Sequence, residues 1–116
     1  MMEAKPGATT AGAPSRIYVL KTGSGEKRAV PPVAIAYVKD AGTQFEMVCL
    51  APGWEITAIT CENPRITYDT RTRLMTVPQG TGPGYYEYEI TLNDLTNPKL
   101  TESVQGNSSP GVLVDP

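Results

Sequence analysis

Carboxylates, two thiols and a group of arginines are the reactive side chains that this sequence offers, and it offers them without a single histidine. That absence removes the commonest general base near neutral pH and the commonest imidazole metal ligand. It also excludes Ser-His-Asp and Cys-His arrangements within the chain. Glu87 and Glu89 flank Tyr88, and Glu46, Glu55 and Glu62 alternate outward nearby. Paired acids could perform glycosidic acid/base work, so a small carboxylate-based hydrolase ranks third among the functions. A solvated, charged sheet face that discourages edge pairing is the simpler account. The expectation is a protein that is not an enzyme, with no catalytic residue, no metal site and no cofactor.

Cys49 and Cys61 are the only cysteines. If Ala51-Pro52-Gly53 closes a simple hairpin, Leu50 pairs with Trp54 and Cys61 lies roughly 20 Å along the strand from Cys49. No disulfide spans that gap. If the two strands belong to opposing sheets, or a bulge redirects Cys61, a Cys49–Cys61 bridge comes within range. Buried free thiols are the leading reading and the disulfide is the alternative. Two cysteines without histidine match no familiar metal-site spacing. Asn93-Asp94 followed by Asn97 is rich in oxygen but lacks the spacing of a calcium loop, and reads as a turn whose side chains bond their own backbone.

Arg65, Arg71 and Arg73 concentrate positive charge around Tyr68, where an acidic partner could dock; cross-strand pairing with glutamates competes with that reading. Trp54, Tyr37, Tyr68 and Tyr85 could together form an aromatic platform for a sugar or another flat ligand. Gly23-Ser24-Gly25-Glu26-Lys27-Arg28 has only a superficial likeness to a phosphate loop, since no helix follows and the spacing is wrong. It reads as a plain loop.

The elements that must position these residues are short and extended. Gly82-Pro83-Gly84 runs straight into strict alternation, with Tyr86, Tyr88, Ile90 and Leu92 on one face of a half-buried strand. Strands are expected at 17–20, 33–38, 44–50, 54–61, 66–68, 74–77, 85–92 and 100–104, with a short last one at 112–114. No stretch has amphipathic helical spacing, and eleven prolines with eleven glycines cut the chain into pieces too short for stable helices. Residues 69–73 join two alternating segments as a polar hairpin loop. The phase of alternation shifts between Trp54 and Cys61, and a bulge near Ala58 accounts for it.

At 116 residues the chain fits one domain: a flexible arm over 1–15, a body over 16–105 and a tail over 106–116. Ten basic and twelve acidic residues, mixed along the chain, leave no electrostatic footprint for nucleic acid. Apolar runs fall far below the roughly 20 residues that span a bilayer, so a soluble protein without membrane insertion is expected. No signal peptide is visible, and the compartment stays unassigned.

Many short strands with turns every 8 to 12 residues or so point to an all-β, antiparallel β-sandwich of eight or nine strands. Gly84-Tyr85-Tyr86-Glu87-Tyr88, entered from a Pro/Gly-rich corner after strand 74–77, resembles the Gly-x-Tyr-x-Cys run of strand F in immunoglobulin-like domains. The resemblance implies that Tyr86 is a corner tyrosine whose hydroxyl returns to backbone upstream, with Tyr88 where antibody domains carry a cysteine. A fold of this kind hosts many functions. The leading expectation is a non-catalytic structural or protein-interaction module, self-assembling or bound to a protein partner within a shell, filament, capsid decoration or surface structure. Strand addition would use Val112, Leu113 and Val114 as donor, or a sheet edge as acceptor. A carbohydrate-binding or other ligand-binding sandwich is the alternative.

Overall fold

The computed structural model describes residues 14–38, 41–104 and 109–115. Ten strands follow one another: β1 (Ser15–Lys21), β2 (Lys27–Val30), β3 (Val33–Tyr37), β4 (Thr43–Cys49), β5 (Trp54–Cys61), β6 (Thr67–Asp69), β7 (Leu74–Val77), β8 (Gly84–Asp94), β9 (Thr101–Ser103) and β10 (Gly111–Asp115). Among the described residues there is no helix, and so none long and apolar enough to cross a membrane. One sheet has the order β2-β1-β4-β7-β6. The other runs β3-β10-β8-β5, with β9 alongside β8.

The alternation in β8 does what its sequence dictates. Tyr88, Ile90 and Leu92 are buried, Tyr86 is half-buried against the same core, and Tyr85, Glu87 and Glu89 face outward. Ile17 and Val19 of β1, Phe45 and Met47 of β4, and Met75 and Val77 of β7 meet them from the other sheet in a single cluster. Removing this apolar surface from water is the main force holding the sheets together. The bulge expected near Ala58 lies between Ile56 and Ala58, where the register of β5 on β8 slips. The hairpin of β6 and β7 also forms as read, with Asp69 opposite Leu74.

Three features differ from the sequence reading. Pairing is not purely antiparallel: β1 runs parallel to β4, and β3 parallel to β10. Parallel neighbours need a connection that carries the chain back to the starting end. Between β1 and β4 the return of β2 and the step through Pro31-Pro32 into β3 provide it, because β2 lies in one sheet and β3 in the other. Neither proline has an N–H with which to continue a ladder.

The corner Ala51-Pro52-Gly53 does not close a hairpin; it passes the chain from β4 in the first sheet to β5 in the second. Gly53 takes a φ of 83°, and Trp54 N–H returns to Ala51 O at 3.3 Å. The left-handed φ there suits glycine, which has no Cβ to clash.

A tenth strand, β2, also occupies residues that the sequence assigned partly to a loop. The loop is confined to residues 22–26, closed by Thr22 N–H to Glu26 O at 2.7 Å. Lys27 and Ala29 then point inward. The Lys27 side chain is only 8% exposed; its ammonium reaches Glu102 at 2.7 Å and stands 4.2 Å from the centre of the Trp54 ring. An ion pair and a cation–π contact thus compensate a lysine at an inward position and tie β2 to β9 and β5.

The Tyr86 hydroxyl donates to Gly82 O at 2.9 Å, four residues upstream. Tyr86→Phe removes that bond alone and is expected to cost about 1 kcal/mol in urea unfolding, with an unchanged m-value. No loss would show that the turn into β8 holds without it. The arm expected over 1–15 falls outside the described residues except for Pro14 and Ser15, and Ser15 already opens β1. Of the tail over 106–116, residues 109–115 are described, and most of them form β10.

Candidate functional site

The four residues of the expected aromatic platform separate into two places. Trp54 and Tyr68 are half-buried at an open groove of about 650 Å³ between the sheets, shared with Cys49, Glu55 and Arg73. Trp54 begins β5 directly after the inter-sheet corner, and one face of its indole is covered by the Lys27 ammonium. Burial pushes the Tyr68 phenol up, partly offset by Arg73. Tyr37 and Tyr85 instead lie on the outer face of the second sheet.

Neither thiol is bridged. Cys49 ends β4 in one sheet and gives its S–H to Trp54 O at 3.3 Å, whereas Cys61 ends β5 in the other, opposite Tyr88. The disulfide alternative therefore does not form. Burial pushes both thiols up from their ordinary range. A thiol held protonated is a poor nucleophile.

The three arginines have separate partners. The Arg65 guanidinium donates to Gln79 O at 3.2 Å and Gly80 O at 3.4 Å, so it braces the loop that precedes β8. Arg71 is exposed in the β6–β7 loop, 4.0 Å from Asp69. Arg73 closes that loop with a left-handed φ of 61°, and its carbonyl accepts from Met47 N–H. Asp94 also behaves as a turn residue: one carboxylate oxygen accepts from the Thr96 hydroxyl, Thr96 N–H and Asn97 N–H, which holds its pKa below the usual carboxylate value. Among the described residues, no group of three His, Cys, Asp or Glu is placed to hold a metal ion.

β10 is not a free donor strand, because it is paired with β3 on one side and β8 on the other. Val112 and Val114 are buried in the core, and only Leu113 looks outward. What surrounds Leu113 is the most distinctive surface among the described residues. Ile35, Leu113 and Tyr85 occupy one row across β3, β10 and β8. Val33 and Tyr37 extend the same face along β3, where Ala34 and Ala36 turn inward. The five are exposed by 44% (Val33), 46% (Ile35), 64% (Tyr37), 43% (Tyr85) and 41% (Leu113).

Scattered surface apolar residues are ordinary, but contiguous ones are not. Five of the nine exposed large apolar side chains among the described residues lie on this one face. The Tyr85 ring lies down over Gly111, at a point where a Cβ would overlap it, so glycine at 111 is what lets the ring rest on the sheet. Beyond Tyr85 the character changes: Glu87 and Glu89 follow it on β8, with Glu62 bonded to Glu87 N–H at 2.6 Å.

Sequence reasoning included Tyr37, Tyr85 and Leu113 but missed Val33 and Ile35. The available signal was the large-small alternation Val33-Ala34-Ile35-Ala36-Tyr37, which makes one face of that strand wholly large. The sequence matches no protein-family model, and no curated protein matches it.

Proposed function

We propose that this chain is a non-catalytic protein-interaction module, a structural or assembly component that docks a partner chain on the outer face of β3, β10 and β8. The observation that carries the reading is the contiguous apolar surface of Val33, Ile35, Tyr37, Tyr85 and Leu113. Such surfaces mark interaction sites in soluble proteins. The absence of histidine, and the burial that pushes both thiols up from their ordinary range, support the non-catalytic part of the reading. An immunoglobulin-like identity for the module draws its support from Tyr86, whose hydroxyl bonds back to Gly82 in the manner of a tyrosine corner.

Ligand binding in the groove is the weaker reading. Lys27 already covers one face of the Trp54 indole, which leaves less of the ring for stacking.

A photoreactive residue placed at Leu113, in the cells that make the protein, is expected to yield a discrete cross-linked product. The same residue at exposed Lys99, in the β8–β9 loop, is expected to yield none above background. No product from position 113, or equal products from both positions, would remove this surface as the docking site.

A further inference from the structure

Resting on the docking reading, we infer that the occupant of the β3–β10–β8 face is a basic segment of another protein, one that carries apolar side chains between arginines or lysines. The cross-strand registers lay out the surface that such a segment must match. Ile35, Leu113 and Tyr85 form an apolar row across the three strands. Two residues along in one direction, Val33, Gly111 and Glu87 form the next row; in the other direction Asp115 stands beside Tyr37. Rows on one face of a sheet are about 7 Å apart, so the apolar row has an exposed carboxylate on either flank. Glu89 continues the acidic side along β8, and Glu62 bonds Glu87 N–H at 2.6 Å.

Nothing among the described residues neutralises these acids. Strands β3, β5, β8, β9 and β10 contain no lysine or arginine, whereas β1 and β2 of the other sheet contain Arg16, Lys21, Lys27 and Arg28. Lys27 reaches the second sheet from the inside, where Glu102 takes it up. Among the described residues, Glu62, Glu87, Glu89 and Asp115 form no ion pair. A partner that covered the apolar row with an uncharged surface would desolvate carboxylates and leave them unpaired, and an acidic partner would add repulsion. Cations on both sides of an apolar ridge remove both costs. Arginine fits each half of the surface, because its planar head pairs a carboxylate and stacks on an exposed ring such as Tyr37 or Tyr85. A second copy of this chain offers acids and no cation from the same face, and nucleic acid or an anionic membrane would be repelled.

The probe is a soluble peptide with apolar residues at its centre and arginines on each side, titrated into the full chain from about 1 μM to 1 mM while backbone amide shifts are recorded. It is expected to move the amides of β3, β10 and β8, whereas the same peptide with glutamate for arginine moves none. Glu87→Gln, Glu89→Gln and Asp115→Asn together are expected to weaken binding by about fivefold or more, and so is Ile35→Ser with Leu113→Ser. Glu26→Gln, Glu46→Gln and Asp69→Asn remove the same charge from the other sheet and its loops, and are expected to leave binding unchanged. These positions are exposed or half-buried at the surface, and near-ultraviolet circular dichroism verifies that each variant folds. Equal binding of the two peptides, or equal losses in the two triple variants, overturns the inference. A product cross-linked from position 113 that forms equally well without the three acids, or that consists of two copies of this chain, overturns the basic partner but leaves the docking reading standing. No product from that position removes both.

Discussion

Ile90→Ala is expected to remove about 3 kcal/mol of folding stability, within the range of 2–5 kcal/mol for truncating a fully buried aliphatic side chain. Ile90 has no exposed surface, lies opposite Ile59 of β5, and accepts Val104 N–H on its carbonyl. It therefore stands where β8 meets β5 and the residue that follows β9, within the core shared with the facing sheet. Its removal forfeits the transfer energy of three carbon atoms and leaves a cavity that β-sheet backbone on both sides cannot close. Against a total stability of about 5–15 kcal/mol for a domain, that loss lowers the melting temperature by of order 10–20 °C. The side chain next along the strand is the control. Glu89 faces outward and bonds only the Ser103 hydroxyl, so Glu89→Ala is expected to change stability by less than about 0.5 kcal/mol. Similar losses from both substitutions in urea unfolding would mean that β8 does not divide the core from the surface.

Stability is also expected to collapse in alkali, and Tyr88 is the largest single reason. Its phenol is buried, and desolvation drives its pKa well above the ordinary value, with Tyr85 and Cys61 adding to the rise. Unfolding frees the phenol to ionise near its ordinary pKa of about 10. Above that pH the unfolded chain binds fewer protons than the folded one, so stability falls as pH rises, by roughly 1.4 kcal/mol per pH unit for this one group. Below it the contribution of the neutral phenol is fully present. Cys49, Cys61 and Tyr68 are raised for the same cause and act in the same direction, the thiols from a lower starting pH.

Tyr88→Phe separates this group from the others. The hydroxyl has no hydrogen-bond partner in its buried position. Deleting it is therefore expected to raise stability at neutral pH by about 1 kcal/mol, because an unsatisfied buried hydroxyl carries a desolvation penalty. In alkali the variant's stability is expected to fall more gently, by one proton's worth of slope. Urea unfolding at neutral pH and at about pH 11 measures both effects. A variant weaker at neutral pH, or one with the parent's alkaline slope, would mean that the phenol is bonded or solvated.

Much of the local structure was legible in the residues. Period-two alternation from Tyr86 to Leu92 identified β8 and its buried face, because neighbouring side chains on extended backbone must point to opposite sides. The phase change after Trp54 located the bulge, and the polar run at residues 69–73 located a hairpin. Alternation is blind to strand direction, however. The same pattern fits parallel and antiparallel neighbours, so the pairing of β1 with β4 and of β3 with β10 left no mark in the sequence.

Two errors have one physical origin, the distance along the chain between residues that meet. Lys27-Arg28 read as loop because a lysine at an inward position is costly by itself. Only Glu102, seventy-five residues away, and Trp54 make that position tolerable. Likewise Tyr37 and Tyr85 were noticed as platform aromatics and Leu113 as part of a donor strand, since nothing local says that β3, β10 and β8 lie side by side.

The amino-acid sequence by itself determined an all-β chain, the placement of most strands, the inward face of β8 and the lack of imidazole chemistry. These follow from backbone geometry and side-chain type over a few residues. Tertiary structure alone decided which strands became neighbours, which thiols stayed apart, how Lys27 was compensated, and that the large residues of β3 would join Leu113 and Tyr85 on an open face. Those outcomes depend on contacts between distant segments, whose energies no short window of sequence contains.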